Sequence, residues 1–141
     1  MKFYETDVKP HLSDKIQWVG LLSSELILTK PEIAALMQKA KVFLMTINWY
    51  EPFGLVMAEA MSCGTPVIGF DRGAVSELIV DGKTGFVIPP QDGINGLKEA
   101  LGKIDQIKPK DCHDHVVNNF STEKMVDNYE KTYQEIINNK I

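Results

Sequence analysis

Apolar positions follow two rhythms along this chain. Short runs with apolar residues on both faces alternate with stretches in which they recur every three or four positions. Ile16-Gln17-Trp18-Val19-Gly20, Val42-Phe43-Leu44-Met45-Thr46-Ile47, Pro66-Val67-Ile68-Gly69-Phe70 and Gly85-Phe86-Val87-Ile88 are of the first kind and predict strands, the last stopped by Pro89-Pro90. Helical spacing places Ile33, Leu36, Met37 and Ala40 on one face, behind an N-cap at Thr29 with Glu32 as its capping-box partner. Further helices are predicted over 54–62, closed by Gly64, and over 74–80. An apolar stripe follows at Ile94, Leu97, Leu101 and Ile104. The last helix is capped by Ser121, with Met125, Tyr129, Thr132, Tyr133 and Ile136 on its buried face. Strands that alternate with helices and are apolar on both sides predict an α/β fold, a Rossmann-like parallel sheet with helices on both faces. Such sheets bind ligands at the carboxyl ends of their strands, so a site is expected where the loops after Ile47, Phe70 and Ile88 meet.

Composition narrows the chemistry. The 141 residues are 44% hydrophobic and 24% charged, enough apolar material for a core and too much for disorder. No repeat or linker interrupts the pattern, and residues 1–141 read as one domain. Fifteen basic against nineteen acidic residues give a net charge of −4, which argues against nucleic acid or an anionic membrane as partner. Arg72 is the sole arginine, so a bound phosphate would rely on backbone N–H groups or on lysines. Cys63 and Cys112 are too few for a disulfide framework and read as free thiols. The polar N-terminus has no signal-peptide run and no stretch is long enough to span a membrane, which leaves a cytoplasmic chain as the expectation.

The richest segment is 48–61, Asn-Trp-Tyr-Glu-Pro-Phe-Gly-Leu-Val-Met-Ala-Glu-Ala-Met, between a strand and a helix. Pro52 suits a helix's first turn, and Gly54, lacking a Cβ, lets a ligand approach the backbone. The N–H groups of Phe53, Gly54, Leu55 and Val56 would then be the unpaired donors of a helix N-terminus, suited to a phosphate or diphosphate. Glu59 lies five residues past Gly54, about 7 to 8 Å along the axis. Its carboxylate can accept both hydroxyls of a ribose. Glu51 would face the group beyond the second phosphate. On spacing alone, both glutamates read as solvated or structural residues more readily than as ligands.

The run Glu51 to Ile88 resembles the donor-binding signature of the GT-B-fold, family 4 (group 1) glycosyltransferases. Glu51 and Glu59, with seven residues between them, match the family's paired glutamates. Gly64-Thr65-Pro66-Val67, Gly73 to Glu77 and Asp81-Gly82-Lys83-Thr84-Gly85 match its next three blocks in order. Phe120 to Met125 is similar to the family's C-terminal end. The resemblance implies the donor side of a retaining enzyme that moves a sugar from a UDP-, GDP- or ADP-linked donor without a metal or other cofactor. It implies that Glu59 binds the ribose and that Phe53, Gly54 and Leu55 offer N–H groups to phosphates and sugar. Glu51 becomes the catalytic-site carboxylate on the sugar hydroxyls, with leaving-group stabilisation as the main catalytic effect. A nucleotide- or carbohydrate-binding module without turnover is the alternative reading.

The resemblance also implies something about extent. Family members carry an N-terminal acceptor lobe and begin the donor lobe with two strands and a phosphate-pairing turn that nothing before Ile16 matches. The chain therefore reads as a truncated half of the fold with about four strands, inactive alone, its acceptor lobe supplied by another domain or chain. The Ile16–Val19 strand is expected to repack against 42–47, or a second copy to pair there as a homo-oligomer.

Weaker signals are read as follows. Asp111-Cys112-His113-Asp114-His115 is a solvated helix face, because neighbouring helical positions diverge too far to share one metal. Gly82-Lys83-Thr84 lacks the upstream glycine and following helix of a phosphate loop. Arg72 and Glu77 are candidates for the rim of the site, and Trp49 and Tyr50 for stacking or rim packing. Asn119-Phe120-Ser121 matches a glycosylation acceptor in form only.

Overall fold

The computed structural model describes residues 2–19 and 28–139, in two compact units, Met1–Ile33 and Ala34–Ile141. The first unit holds a wide helical turn at Tyr4–Val8 and a tighter one at Lys9–His11. The rings of Tyr4 and Trp18 meet edge-on at 5.4 Å. The strand predicted at Ile16 does not form over 16–19, and Gly20 lies outside the described residues. Ile16 instead closes a tight turn with Ser13, each N–H donating to the other's carbonyl at 2.9 and 3.1 Å. The Ser13 hydroxyl accepts the N–H groups of Lys15 and Ile16 as well. Local side-chain bonding of this kind uses up the donors a strand would present. Among the described residues the sheet accordingly has three strands rather than about four, and the expected sheet pairing of 16–19 is not among its ladders.

Helix α1 is Lys30–Lys39. The backbone N–H and hydroxyl of Thr29 both donate to the Glu32 carboxylate, at 2.8 and 2.7 Å, so the capping box forms on the Glu32 side. Those two bonds hold the Glu32 carboxyl below its usual range. Of the predicted apolar face, Met37 packs on the core while Ile33 and Leu36 are exposed.

Strands β1 (Phe43–Met45), β2 (Val67–Phe70) and β3 (Gly85–Ile88) form a parallel sheet in the order β1-β2-β3. Phe43 pairs with Val67, and Phe70 with Ile88. Residues 67–69 of β2 are buried on both faces, which requires cover on both. Helices α2 (Leu55–Ser62), α3 (Val75–Leu78), α4 (Gly93–Lys103) and α5 (Pro109–Phe120) provide it. Met57 and Met61 of α2, Val67 and Ile68 of β2, and Val75 and Leu78 of α3 form the centre of the core.

Three expectations shift here. On α4 the buried line runs through Leu97, Ala100 and Ile104, while Ile94 and Leu101 sit on its exposed flank. The 111–115 run is split rather than solvated. Cys112 is fully buried with its thiol on the Thr84 carbonyl at 3.5 Å, and His115 Nε2 donates to the Leu78 carbonyl at 2.9 Å. Burial, reinforced by Asp111, pushes the Cys112 thiol up to about 11. The final helix, α6 (Thr122–Asn139), is capped as expected, Lys124 N–H donating to Ser121 Oγ at 3.2 Å. Its apolar stripe, however, is not core. Met125, Tyr129, Tyr133 and Ile136 are all exposed, and none of them joins the core cluster formed by the described residues.

The turn before β3 is a strand connector. Thr84 is buried, and its hydroxyl accepts the Val80 N–H at 2.9 Å, while Asp81 Oδ1 accepts that of Val87. Both side chains are engaged by backbone, which fits a turn and not a phosphate cradle.

Candidate functional site

The loops that leave β1 and β2 are joined backbone to backbone. Glu51 N–H donates to the Arg72 carbonyl at 3.4 Å, and Ala74 N–H donates to the Glu51 carbonyl at 2.8 Å. Gly73 lies between these bonds with φ +67°. A Cβ there would overlap the Glu51 carbonyl oxygen and lie 2.6 Å from the Glu51 nitrogen, so any side chain would drive the loops apart. Asp71 N–H donates to the Ile88 carbonyl at 2.9 Å, which ties the second loop to β3 too. The site thus forms at the sheet edge where a parallel α/β fold binds its ligands.

Gly54 is buried, has φ +89°, and is the N-cap of α2. The left-handed backbone turns the chain sharply into the helix, and a Cβ would strike the Met57 side chain. The helix begins at Leu55, so Pro52 lies in the preceding turn rather than in the first helical turn as expected. That correction moves the helix start and leaves the donors in place. Among the described residues, no backbone acceptor takes the N–H groups of Phe53, Gly54, Leu55 or Val56. Four free amides at the positive end of a helix suit an anion.

The candidate side chains divide into two groups. Glu51 is half-buried, 3.3 Å through its Cγ from where a Gly54 Cβ would stand, and its carboxylate accepts the Trp49 indole N–H at 3.1 Å. Arg72 is half-buried beside it, and its Nε is buried with no partner among the described residues. Glu51, Gly54 and Arg72 are therefore drawn together. Glu59 lies further along α2, exposed on the side opposite Met57, Ala60 and Met61, without a side-chain partner among the described residues. Its axial offset from Gly54 is about 7.5 Å. Glu77 is exposed on α3 and touches none of these groups by hydrogen bond or ion pair.

Two contacts at the candidate site were not identified from sequence, one of them made by Trp49, which reads there as a stacking or rim residue. Trp49 supplies the indole bond that orients Glu51, and the signal for it was an aromatic donor two residues from a carboxylate. Phe120, at the end of α5, meets the Phe53 ring edge-on at 5.9 Å, and no local pattern pairs residues so far apart. Beside them, Phe53, Leu55, Phe120, Met125 and Tyr129 line an open cavity of about 630 Å³. Among the described residues no three His, Cys, Asp or Glu side chains converge as metal ligands would.

A parallel α/β sheet whose first strand leads through a glycine-capped helix terminus flanked by carboxylates is the architecture of a Rossmann-like lobe. The family of glycosyl transferases group 1 matches residues 10–130, and the chain belongs to that family. It is 28% identical over 135 aligned residues to N-acetyl-alpha-D-glucosaminyl L-malate synthase from Bacillus anthracis, an alignment covering 90% of this chain and 32% of that protein. In fold it is similar to sucrose-phosphate synthase from Thermosynechococcus elongatus (TM-score 0.54, 30% identity, 67% of this chain and 25% of that one). It is equally similar to Anabaena HepE in complex with UDP-glucose (TM-score 0.55, 25% identity, 71% and 29%). The structural neighbours are GT-B glycosyltransferases, and the chain spans about a third or less of the length of these proteins. No helix among the described residues is long and apolar enough to cross a membrane.

Proposed function

We propose that this chain is the donor-side portion of a retaining glycosyltransferase that takes a sugar from a nucleoside-diphosphate donor. The observation that carries the reading is the set of free N–H groups at Phe53, Gly54, Leu55 and Val56, held at the ligand edge of the sheet by the Glu51–Gly73 junction. Anabaena HepE, similar in fold, is described in complex with UDP-glucose, which supports a donor of that class.

In this reading the diphosphate lies on the tip of α2. The amides stabilise the charge that grows on the leaving phosphate as the glycosidic bond breaks, an effect worth about 3 to 4 kcal/mol per well-placed donor. Glu59 accepts the two ribose hydroxyls, and Glu51, fixed by Trp49, orients the transferred sugar. Arg72 Nε is a further donor at the same edge, and Glu77 stands at the rim. Because the phosphate charge is met by amides, the reaction in this reading needs no metal. Residues 1–141 act as one partial donor-binding domain in the cytoplasm. The acceptor lobe comes from another domain or chain, and the chain alone binds nucleotide weakly without turnover. The β1 edge, which has β2 as its one strand neighbour among the described residues, is where that lobe or a second copy would pair.

Calorimetric titration with UDP, GDP and ADP tests the reading. At least one should bind, and Glu59→Ala should weaken it about 10- to 100-fold, the worth of a charged double hydrogen bond. Equal affinity in the variant would remove Glu59 from the site.

A further inference from the structure

The free amides are useful to a ligand only if the turn that carries them is rigid. Its two ends are pinned by backbone bonds, Glu51 to Arg72 and Ala74 on one side and Gly54 to Met57 on the other. Between them, neither Pro52 nor Phe53 makes a backbone hydrogen bond among the described residues. Proline has no N–H to give, and the Phe53 N–H is one of the candidate ligand donors. What meets Phe53 is the ring of Phe120, edge-on at 5.9 Å and 75° between planes.

Phe120 is itself held from the far side. The His115 ring stands edge-on to it at 5.4 Å. His115 cannot swing freely. Its Nε2 donates to the Leu78 carbonyl at 2.9 Å, which makes Nδ1 the acceptor, and that nitrogen takes the Asn119 amide at 3.2 Å. Asn119 also donates to the His115 carbonyl at 2.8 Å. A continuous line of contacts therefore runs from the end of α3, through α5, to the turn at Phe53.

We infer that Phe120 is a positioning residue: braced by His115, it fixes Phe53 and thereby the direction of the Phe53 and Gly54 amides. The inference rests on the donor-site reading for its use in binding, but the brace itself is a property of the ligand-free chain. An edge-to-face aromatic pair is worth a factor of about 2 to 12 in an equilibrium, so its loss should be felt in affinity to that extent.

The test compares wild type with Phe120→Leu, which keeps apolar bulk without a ring, and Phe120→Tyr, which keeps the ring. ¹⁵N relaxation of the ligand-free protein reads the amides of Phe53, Gly54 and Leu55. In Phe120→Leu their order parameters should fall from about 0.85 towards 0.6, while the central strands stay rigid, and Phe120→Tyr should restore them. Binding of the best of UDP, GDP and ADP should weaken about threefold to tenfold in Phe120→Leu and recover in Phe120→Tyr. Unchanged order at 53–55 in a folded Phe120→Leu would overturn the inference, as would a loss of order spread evenly over the sheet. If the order falls as expected and wild type binds none of the three nucleotides, the brace stands and the donor-site reading fails. Should Phe120→Leu not fold, the same two readouts on His115→Gln, which removes the bracing ring, decide the matter in the same way.

Discussion

Met57 and Met61, one helical turn apart on α2, are fully buried, whereas Tyr129 and Tyr133, at the same spacing on α6, are each 57% exposed. Of the two, α2 is apolar around most of its surface, whereas α6 carries the more regular apolar stripe. On α2 the apolar side chains meet the sheet and α5, and on α6 the stripe stays exposed and outside the core cluster. Periodicity identifies which face of a helix is apolar. It does not identify what lies across from that face, and only the second fact decides whether the stripe contributes to the core.

The energetic contrast should be large. Met61→Ala removes a fully buried side chain and should cost about 2 to 5 kcal/mol, read as a lower denaturant midpoint with unchanged slope. A cost under about 1 kcal/mol would mean that the α2 face is not the core it is drawn as. Gly73→Ala strains a left-handed backbone against Glu51 and should cost about 1 to 3 kcal/mol, with amide shifts centred on 50–54 and 71–75. A wild-type spectrum there would sever the junction on which the site depends.

Cys112 allows the buried region to be probed by pH. Its folded pKa of about 11 is raised from an ordinary value of 9.0. The unfolded chain therefore releases this proton first, and stability supplied by the buried neutral thiol is complete below pH 9 and lost as pH rises towards 11. Thermal unfolding followed over pH 8 to 11 should show a downward slope that is shallower in Cys112→Ser. Parallel slopes would contradict the burial of the thiol. Ser121→Ala should cost about 1 kcal/mol through loss of the cap on Lys124 N–H. Tyr133→Ser, in the exposed stripe, should change stability by less than about 0.5 kcal/mol. A cost of 2 kcal/mol or more there would show that α6 is covered after all.

The same contrast explains what could be read from residues alone. The strand at 85–88 was legible to its boundaries because a turn at Asp81–Thr84 and the Pro89-Pro90 pair delimit it. The backbone of the 54–62 segment was legible because a glycine ahead of a helix needs no tertiary context. Hydropathy marks 16–19 as a strand and does not register that the Ser13 hydroxyl takes the N–H groups of Lys15 and Ile16 at its start. Cys112 and His115 were assigned to solvent because a polar run hides which of its members α5 turns inward. The Trp49–Glu51 bond and the Phe53–Phe120 contact depend on side-chain directions that spacing does not encode.

The central claim is that the amides at the start of α2 hold a nucleoside diphosphate. A ¹H–¹⁵N map of the chain titrated with UDP, GDP and ADP tests it most directly. The account predicts shifts concentrated at Phe53 to Glu59 and around Arg72 for at least one nucleotide, with the 53–59 shifts diminished in Glu59→Ala. Saturating nucleotide that leaves Gly54 to Glu59 unmoved, or moves only residues remote from the α2 terminus, would contradict it.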